Sequence, residues 1–241
     1  MNKGGTALLK TQALVAGYGK KQVLNGVDLE VNSGSIVALI GHNGAGKSTL
    51  LKAVFGMLPV WTGAVIYDGR KLNSAKPRDL LRGGMAYIVQ GNRVFTDLSV
   101  HENLDVGSMI LPNRASRREG IERALIAFPV LRERLKQQAG TLSGGEKQML
   151  ALANAMVLSP RLLLLDEPSL GLSPNMITEA LGRIKQLNRD EGISILIVEQ
   201  KVREVLNICH WVYCLKLGEV TYGGPPTALK NDPDKLRRVF L

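Results

Sequence analysis

The residues best equipped for chemistry begin with Gly41-His42-Asn43-Gly44-Ala45-Gly46-Lys47-Ser48-Thr49, a fit to G-x-x-x-x-G-K-S/T. Glycines at these spacings let the backbone adopt conformations a Cβ forbids and bring several N–H groups close to an anion. A helix start directly behind the loop adds unpaired donors and a partial positive charge. Lys47 can bridge β- and γ-phosphates there, and the Ser48 hydroxyl can ligate Mg²⁺. A glycine-rich turn with a chance lysine is the bland alternative. The apolar run Ile36–Ile40 in front and the helix-compatible Leu50–Phe55 behind argue against it. The expected ligand is a nucleoside triphosphate.

Two further groups narrow the chemistry. Leu162-Leu163-Leu164-Leu165 ends in Asp166-Glu167. An aspartate at a strand end can hold the hydration shell of Mg²⁺. Glu167, pointing elsewhere because successive strand side chains alternate, can take a proton from water attacking the γ-phosphate. The third group is Leu142-Ser143-Gly144-Gly145-Glu146. Ser143 with Glu146 three residues on is a capping box, and two glycines beneath a helix start form a second anion-binding element. Two phosphate-binding elements on one chain imply a nucleotide held between two copies.

The elements that must position these groups follow from periodicity. Alternating stretches over Ala7–Val15 and Val23–Val31, broken at Gly17–Lys21, predict two antiparallel strands. Val60–Asp68 and Met85–Val89 predict further strands, and Pro77–Arg82 a short helix with Pro at its first position. From Val100 to about Gln138 the pattern turns helical, divided by Pro112 and Pro129. Helices are then expected from Ser143 to Val157, over Pro174–Arg189, over Val202–Ile208 and over Asp232–Leu241. Continuous apolar runs at Leu162–Leu165 and Ile193–Val198 suit parallel strands buried on both faces, and Trp211–Leu215 and Glu219–Tyr222 read as late strands. The fold class is α/β: a phosphate-loop NTPase core with a mainly parallel sheet flanked by helices, an N-terminal antiparallel β part and an inserted helical subdomain. One domain spans 1–241, with 1–95 and 155–241 as core and 96–154 as the helical block.

With 241 residues there is ample core, and 45% hydrophobic content is ordinary for a globular chain. The net charge of +10 permits nucleic acid, anionic lipid or an acidic partner, and the 5% aromatic content disfavours an aromatic stacking platform for nucleic acid. Arg117, Arg118, Arg123, Arg132, Arg134 and Lys136 are expected on solvated helix faces. Cys209 and Cys214, five residues apart, are expected as buried reduced thiols. No stretch is apolar enough to span a bilayer, and Met1–Lys10 lacks a signal-peptide pattern.

The ordered set of Tyr18, the phosphate loop, Gln90, LSGGE at Leu142–Glu146 and LLLLDEP at Leu162–Pro168 resembles the ATP-binding subunits of ABC transporters, over essentially the whole chain. The resemblance implies ATP and Mg²⁺ as cofactors, Tyr18 stacked on adenine, Gln90 near the metal, and a head-to-tail dimer. In that dimer Ser143, Gly144 and Gly145 of one copy complete the ATP site on the other's Lys47. It also implies that Ser169–Ser173 contacts the opposite subunit, and that permease subunits grip the Gln90 region and the helical block. A peripheral location on the cytoplasmic face of the membrane is expected, and no nucleic-acid partner. Phe128-Pro129, Arg132-Glu133-Arg134 and Val198-Glu199-Gln200 are similar to the branch serving branched-chain amino-acid, urea and amide importers, whose ATPases usually pair with a related sibling and act with a solute-binding protein. Gln200 stands where most of the family has a γ-phosphate-contacting His, Gln90 where the branch favours Glu, and Asn154 where Arg is common. The competing reading is a soluble ABC ATPase acting on DNA, in translation or in cofactor assembly.

Overall fold

A strand made only of apolar residues must be covered on both sides, and the central sheet is built that way. The computed structural model describes residues 7–91 and 93–240, so the expectations for Met1–Lys10, Asn92 and Leu241 lie wholly or partly outside it. In chain order come β1 (Ala7–Tyr18), β2 (Lys21–Asn32), β3 (Ile36–Ile40), α1 (Lys47–Val54), β4 (Val60–Tyr67), β5 (Arg70–Lys71), α2 (Pro77–Arg82) and β6 (Met85–Ile88). Then follow α3 (Val100–Ser108), α4 (Arg114–Ala127), α5 (Pro129–Arg132), a 3₁₀ turn (Ala139–Thr141), α6 (Gly144–Met156), β7 (Leu162–Asp166) and α7 (Pro174–Glu191). The chain ends with β8 (Ser194–Glu199), α8 (Val202–Leu206), β9 (Trp211–Lys216), β10 (Glu219–Gly224), α9 (Thr227–Lys230) and α10 (Pro233–Phe240).

The sheets are β2-β1-β4-β5, antiparallel throughout, and β10-β9-β3-β8-β7-β6, parallel except for the β10 edge. Strand alternation divides the core in two. Ile36, Ala38, Ile40, Leu163, Leu165 and Ile197 face one cluster, shared with Leu104, Ile121, Leu152 and Ile184 of the helices. Val37, Leu39, Leu162, Leu164 and Val198 face the other, shared with Leu9, Leu29 and Val65 of the antiparallel sheet and Leu51 of α1. Each fully buried Leu or Ile adds roughly 1.5–3 kcal/mol of transfer free energy, so the sheet is a stiff plate and its chemistry sits at the carboxyl rim.

Two expectations shift, and two short elements have no sequence signal. The break between β1 and β2 is only Gly19-Lys20, because Gly17 stays in the strand with the Trp61 ring against it; a Cβ there would come within 2.9 Å of that ring. Helix does not continue to Gln138: α5 stops at Arg132, and the carbonyls of Leu135 and Gln137 accept from the N–H groups of His101 and Val100, at 3.0 and 2.9 Å. Those residues satisfy the open donors at the start of α3, where helix continuation would leave them unpaired. The short β5 and α9 have too few residues to carry a period. Helices α3, α4, α5 and α6 pack on one another.

Cys209 and Cys214 are buried free thiols, each pushed up to about 12 by burial. Iodoacetamide in mildly alkaline buffer should modify neither in the native chain and both in urea, by intact mass. Folding keeps these protons on, so their contribution to stability is lost as pH climbs from 9.0 toward about 12. Rapid native labelling of either would contradict the burial.

Candidate active site

The carboxyl end of β3 delivers the phosphate loop, and α1 begins at Lys47, three residues before the apolar segment that marked it. Gly46 is the N-cap with φ 108°, and no side chain caps the helix. Its first donors are therefore not taken up by a cap, the arrangement that binds anions. Lys47 is 5% exposed; its ammonium donates to the carbonyls of Gly41 (2.8 Å) and His42 (3.0 Å). Burial pulls its pKa below 10.5, against the opposing pull of Glu167, Asp166 and Glu199. Ser48 Oγ donates to Asp166 Oδ1 at 2.9 Å, and the Tyr87 hydroxyl donates to Oδ2 at 3.0 Å. Burial raises the Asp166 pKa, and these two donors counter it.

Glu167 is re-aimed by its backbone and not by strand alternation, which corrects the sequence expectation. β7 ends at Asp166, and Glu167 takes φ 50°, a left-handed conformation uncommon outside glycine. Its N–H donates to Val198 O at 2.9 Å. Its carboxylate accepts from Gln90 Nε2 at 2.9 Å and Gln200 Nε2 at 2.6 Å, with Lys47 Nζ 4.0 Å away. Two amides and an ammonium thus orient one carboxylate beside the phosphate loop. That geometry suits a base for water attacking a phosphoryl group.

These groups line an open cleft of about 670 Å³, with Asn43, Gly44 and Thr49 on the loop side and Tyr18 on another wall. Tyr18 is exposed, and Lys52 Nζ lies 5.8 Å from its ring centre. Gly41 and Ala45 are buried behind the loop, and His42 is exposed on it. Mg²⁺ fits the donor set: Ser48 and Asp166 offer hard oxygens, and this cation commonly takes one or two protein ligands, completing its shell with phosphate oxygens and water. Gln90 lines the same cleft and donates Nε2 to Glu167, a contact that does not use its side-chain oxygen. Sequence reasoning passed over Tyr87 as part of an apolar strand. It also passed over Lys21, Gln22, Val23, Asn25 and Leu217, which line the Tyr18 side of the cleft. The turn carrying Leu217 is tied down by Asn25, whose side chain donates to the Leu217 carbonyl at 2.7 Å across 192 residues of chain.

The second donor-rich helix start stands apart, since Ser143, Gly144, Gly145 and Glu146 do not line this cleft. Ser143 Oγ accepts from Glu146 N at 3.3 Å, and Glu146 Oε2 accepts from Ser143 N at 2.9 Å. Glu146 Oε1 accepts from Arg134 Nε at 2.8 Å, so the Glu146 carboxylate is committed to shaping the turn. The Ser143 N–H and its partner donors hold the Glu146 pKa below the ordinary range. A Cβ on Gly145 would come within 2.7 Å of Met176 Cε, so that flexible side chain would have to swing aside. Asn154 has a buried Oδ1 with no hydrogen-bond partner, which nothing in the structure explains.

A phosphate loop at the switch from β3 to α1, an acid pair at the end of β7 and a covering helical block define a phosphate-loop nucleotide-binding α/β domain. The chain belongs to the ABC transporter family, whose description matches residues 24–170. It is 41% identical over 224 residues to the high-affinity branched-chain amino acid transport ATP-binding protein BraG of Pseudomonas aeruginosa, covering 93% of this chain and 95% of that one. It is also 41% identical over 222 residues to a probable branched-chain amino acid transport ATP-binding protein, LivF, of Archaeoglobus fulgidus, with coverage of 92% and 94%. The lipopolysaccharide export ATP-binding protein LptB of Escherichia coli K12 is 34% identical over 238 residues, covering 98% and 97%. Among solved structures, a nucleotide-free ATP-binding cassette from an ABC transporter superposes with a TM-score of 0.87 at 25% identity, covering 98% and 99%.

Proposed function

We propose that this chain binds and hydrolyses ATP as one of two ATPase subunits of an importer for branched-chain or other amino acids. It would sit on the cytoplasmic face of the membrane against permease subunits, with a solute-binding protein presenting the cargo. The observation that carries the paired arrangement is the separation just described: Lys47 lines the cleft, and the Ser143–Gly145 donors do not. A second ATPase, identical or a sibling, would bring its own Ser143–Gly145 equivalent over the Lys47 cleft. The helical block 96–154 and the Gln90 region would carry the resulting movement to the permeases. The cargo class is supported by the higher identity to the two amino-acid transport proteins than to the lipopolysaccharide export proteins.

In the reaction Tyr18 stacks on the base, and the loop N–H groups with Lys47 hold the β- and γ-phosphates. Ser48 and Asp166 would hold Mg²⁺, which would supply charge neutralisation in the reaction. Glu167, aimed by Gln90 and Gln200, accepts the proton of the attacking water. Gln200 can donate amide hydrogen bonds but cannot carry a proton as an imidazole could. Gln200→His is therefore expected to raise the steady-state rate at this site by about tenfold and to add a pH dependence near 6.5. An unchanged rate means Gln200 has no limiting role.

The test of the reading is isolation of the tagged chain from its native membranes. Polytopic subunits and a second ATPase should accompany it, and deleting it should abolish uptake of labelled leucine, isoleucine or valine. Ribosomes, DNA or an assembly scaffold in place of polytopic subunits would establish the soluble alternative.

A further inference from the structure

We propose that Glu199 is a positioning residue for hydrolysis, tying the loop after Glu167 to the Gln200 amide so that the two move as one element. The proposal rests on the ATPase reading above. Glu199 ends β8 and is 1% exposed. Burying a carboxylate is costly unless its oxygens find donors. Here the donors come from two different segments. Ser169 N donates to Oε1 at 2.9 Å, from the loop after β7. Gln200 N and Lys201 N donate to Oε2 at 3.1 and 3.4 Å, from the loop after β8.

The links close a circuit. The Gln200 side chain holds Glu167, its backbone holds Glu199, and Glu199 holds Ser169, two residues beyond Glu167. The Glu167 N–H closes the near side on Val198 O. Past Ser169 the chain presents Leu170, 49% exposed, and turns at Gly171 with φ 78°. A second subunit pressing on Leu170 would therefore shift Ser169, and through Glu199 the amide that aims the base. Among the described residues no other side chain accepts from both loops.

Glu199→Gln preserves shape but replaces one acceptor oxygen by an amide nitrogen, so one of the two loops loses its hold. The expected result, in the complex purified from native membranes, is a kcat about 10²-fold lower with ATP affinity within about twofold of wild type. In a Gln200→Ala background the same change should cost less than about threefold, because the link it acts through is already cut. Unchanged kcat, or an equal loss in both backgrounds, overturns the proposal; so does a parallel loss of ATP affinity. Should Glu199→Gln not fold, Glu199→Asp decides, since it keeps both oxygens on a shorter arm. At least a tenfold loss of kcat with unchanged ATP affinity supports the proposal, and unchanged kcat sinks it. Absence of ATP turnover in the wild-type complex would instead refute the underlying ATPase reading.

Discussion

Glu167→Gln is expected to lower ATP turnover by about 10³-fold while leaving ATP bound. The substitution keeps size and shape, but one of the two oxygens that accept from Gln90 at 2.9 Å and Gln200 at 2.6 Å becomes an amide nitrogen, so one of those contacts is given up along with the charge. An amide cannot take the proton of an attacking water, and general-base groups contribute typically 10²–10⁴ in rate. Removing a negative charge 4.0 Å from Lys47 also favours the added negative charge of nucleotide. Two copies closed on ATP should then persist, and particle mass in ATP and Mg²⁺ should double, either with itself or with a co-expressed sibling. Wild-type turnover in the variant would remove Glu167 as the base. Particles that stay single while gripping ATP tightly would remove the shared site.

The second large effect belongs to Lys47. Lys47→Ala should weaken ATP binding by on the order of 3 kcal/mol, about 10²-fold in Kd, the scale of charged hydrogen bonds to phosphate lost from a largely buried position. Calorimetric titration of the full chain measures it, with circular dichroism as the folding control. A Kd within threefold of wild type would assign the lysine to the loop alone. The sign of the pH effect follows from burial. The folded lysine loses its proton below 10.5, so its buried charge costs stability at lower pH, a cost relieved as pH rises through the lowered value toward 10.5. Phosphate favours the charged form. ATP affinity should therefore begin to fall at a lower pH than an ordinary lysine would set.

What could be read without coordinates was local and periodic. The four leucines before Asp166 announced burial on both faces, Ser143 and Glu146 announced a capped helix, and glycines 44 and 46 do take positive φ, at 80° and 108°. What could not be read was set by contacts distant in sequence. Tyr87 reaches Asp166 across 79 residues, and Asn25 fixes a turn 192 residues away; neither leaves a period. The left-handed turn at Glu167 is invisible because its residue type argues for the opposite. Glu199 was legible in principle, as an acid ending an apolar run just as Asp166 does. Its role needed the partner loop in view. Leu135 to Gln138 misled because an apolar residue at helical spacing is also what a capping turn uses to anchor itself.

The Ser143–Glu146–Arg134 linkage at the mouth of α6 has a mechanical consequence. Its donors are held in shape by residues of the same chain, so little freedom would remain to be surrendered if a nucleotide met them as proposed. A latch already set need not grip hard to be specific. It can engage and let go many times, as an engine that must reset after every stroke requires.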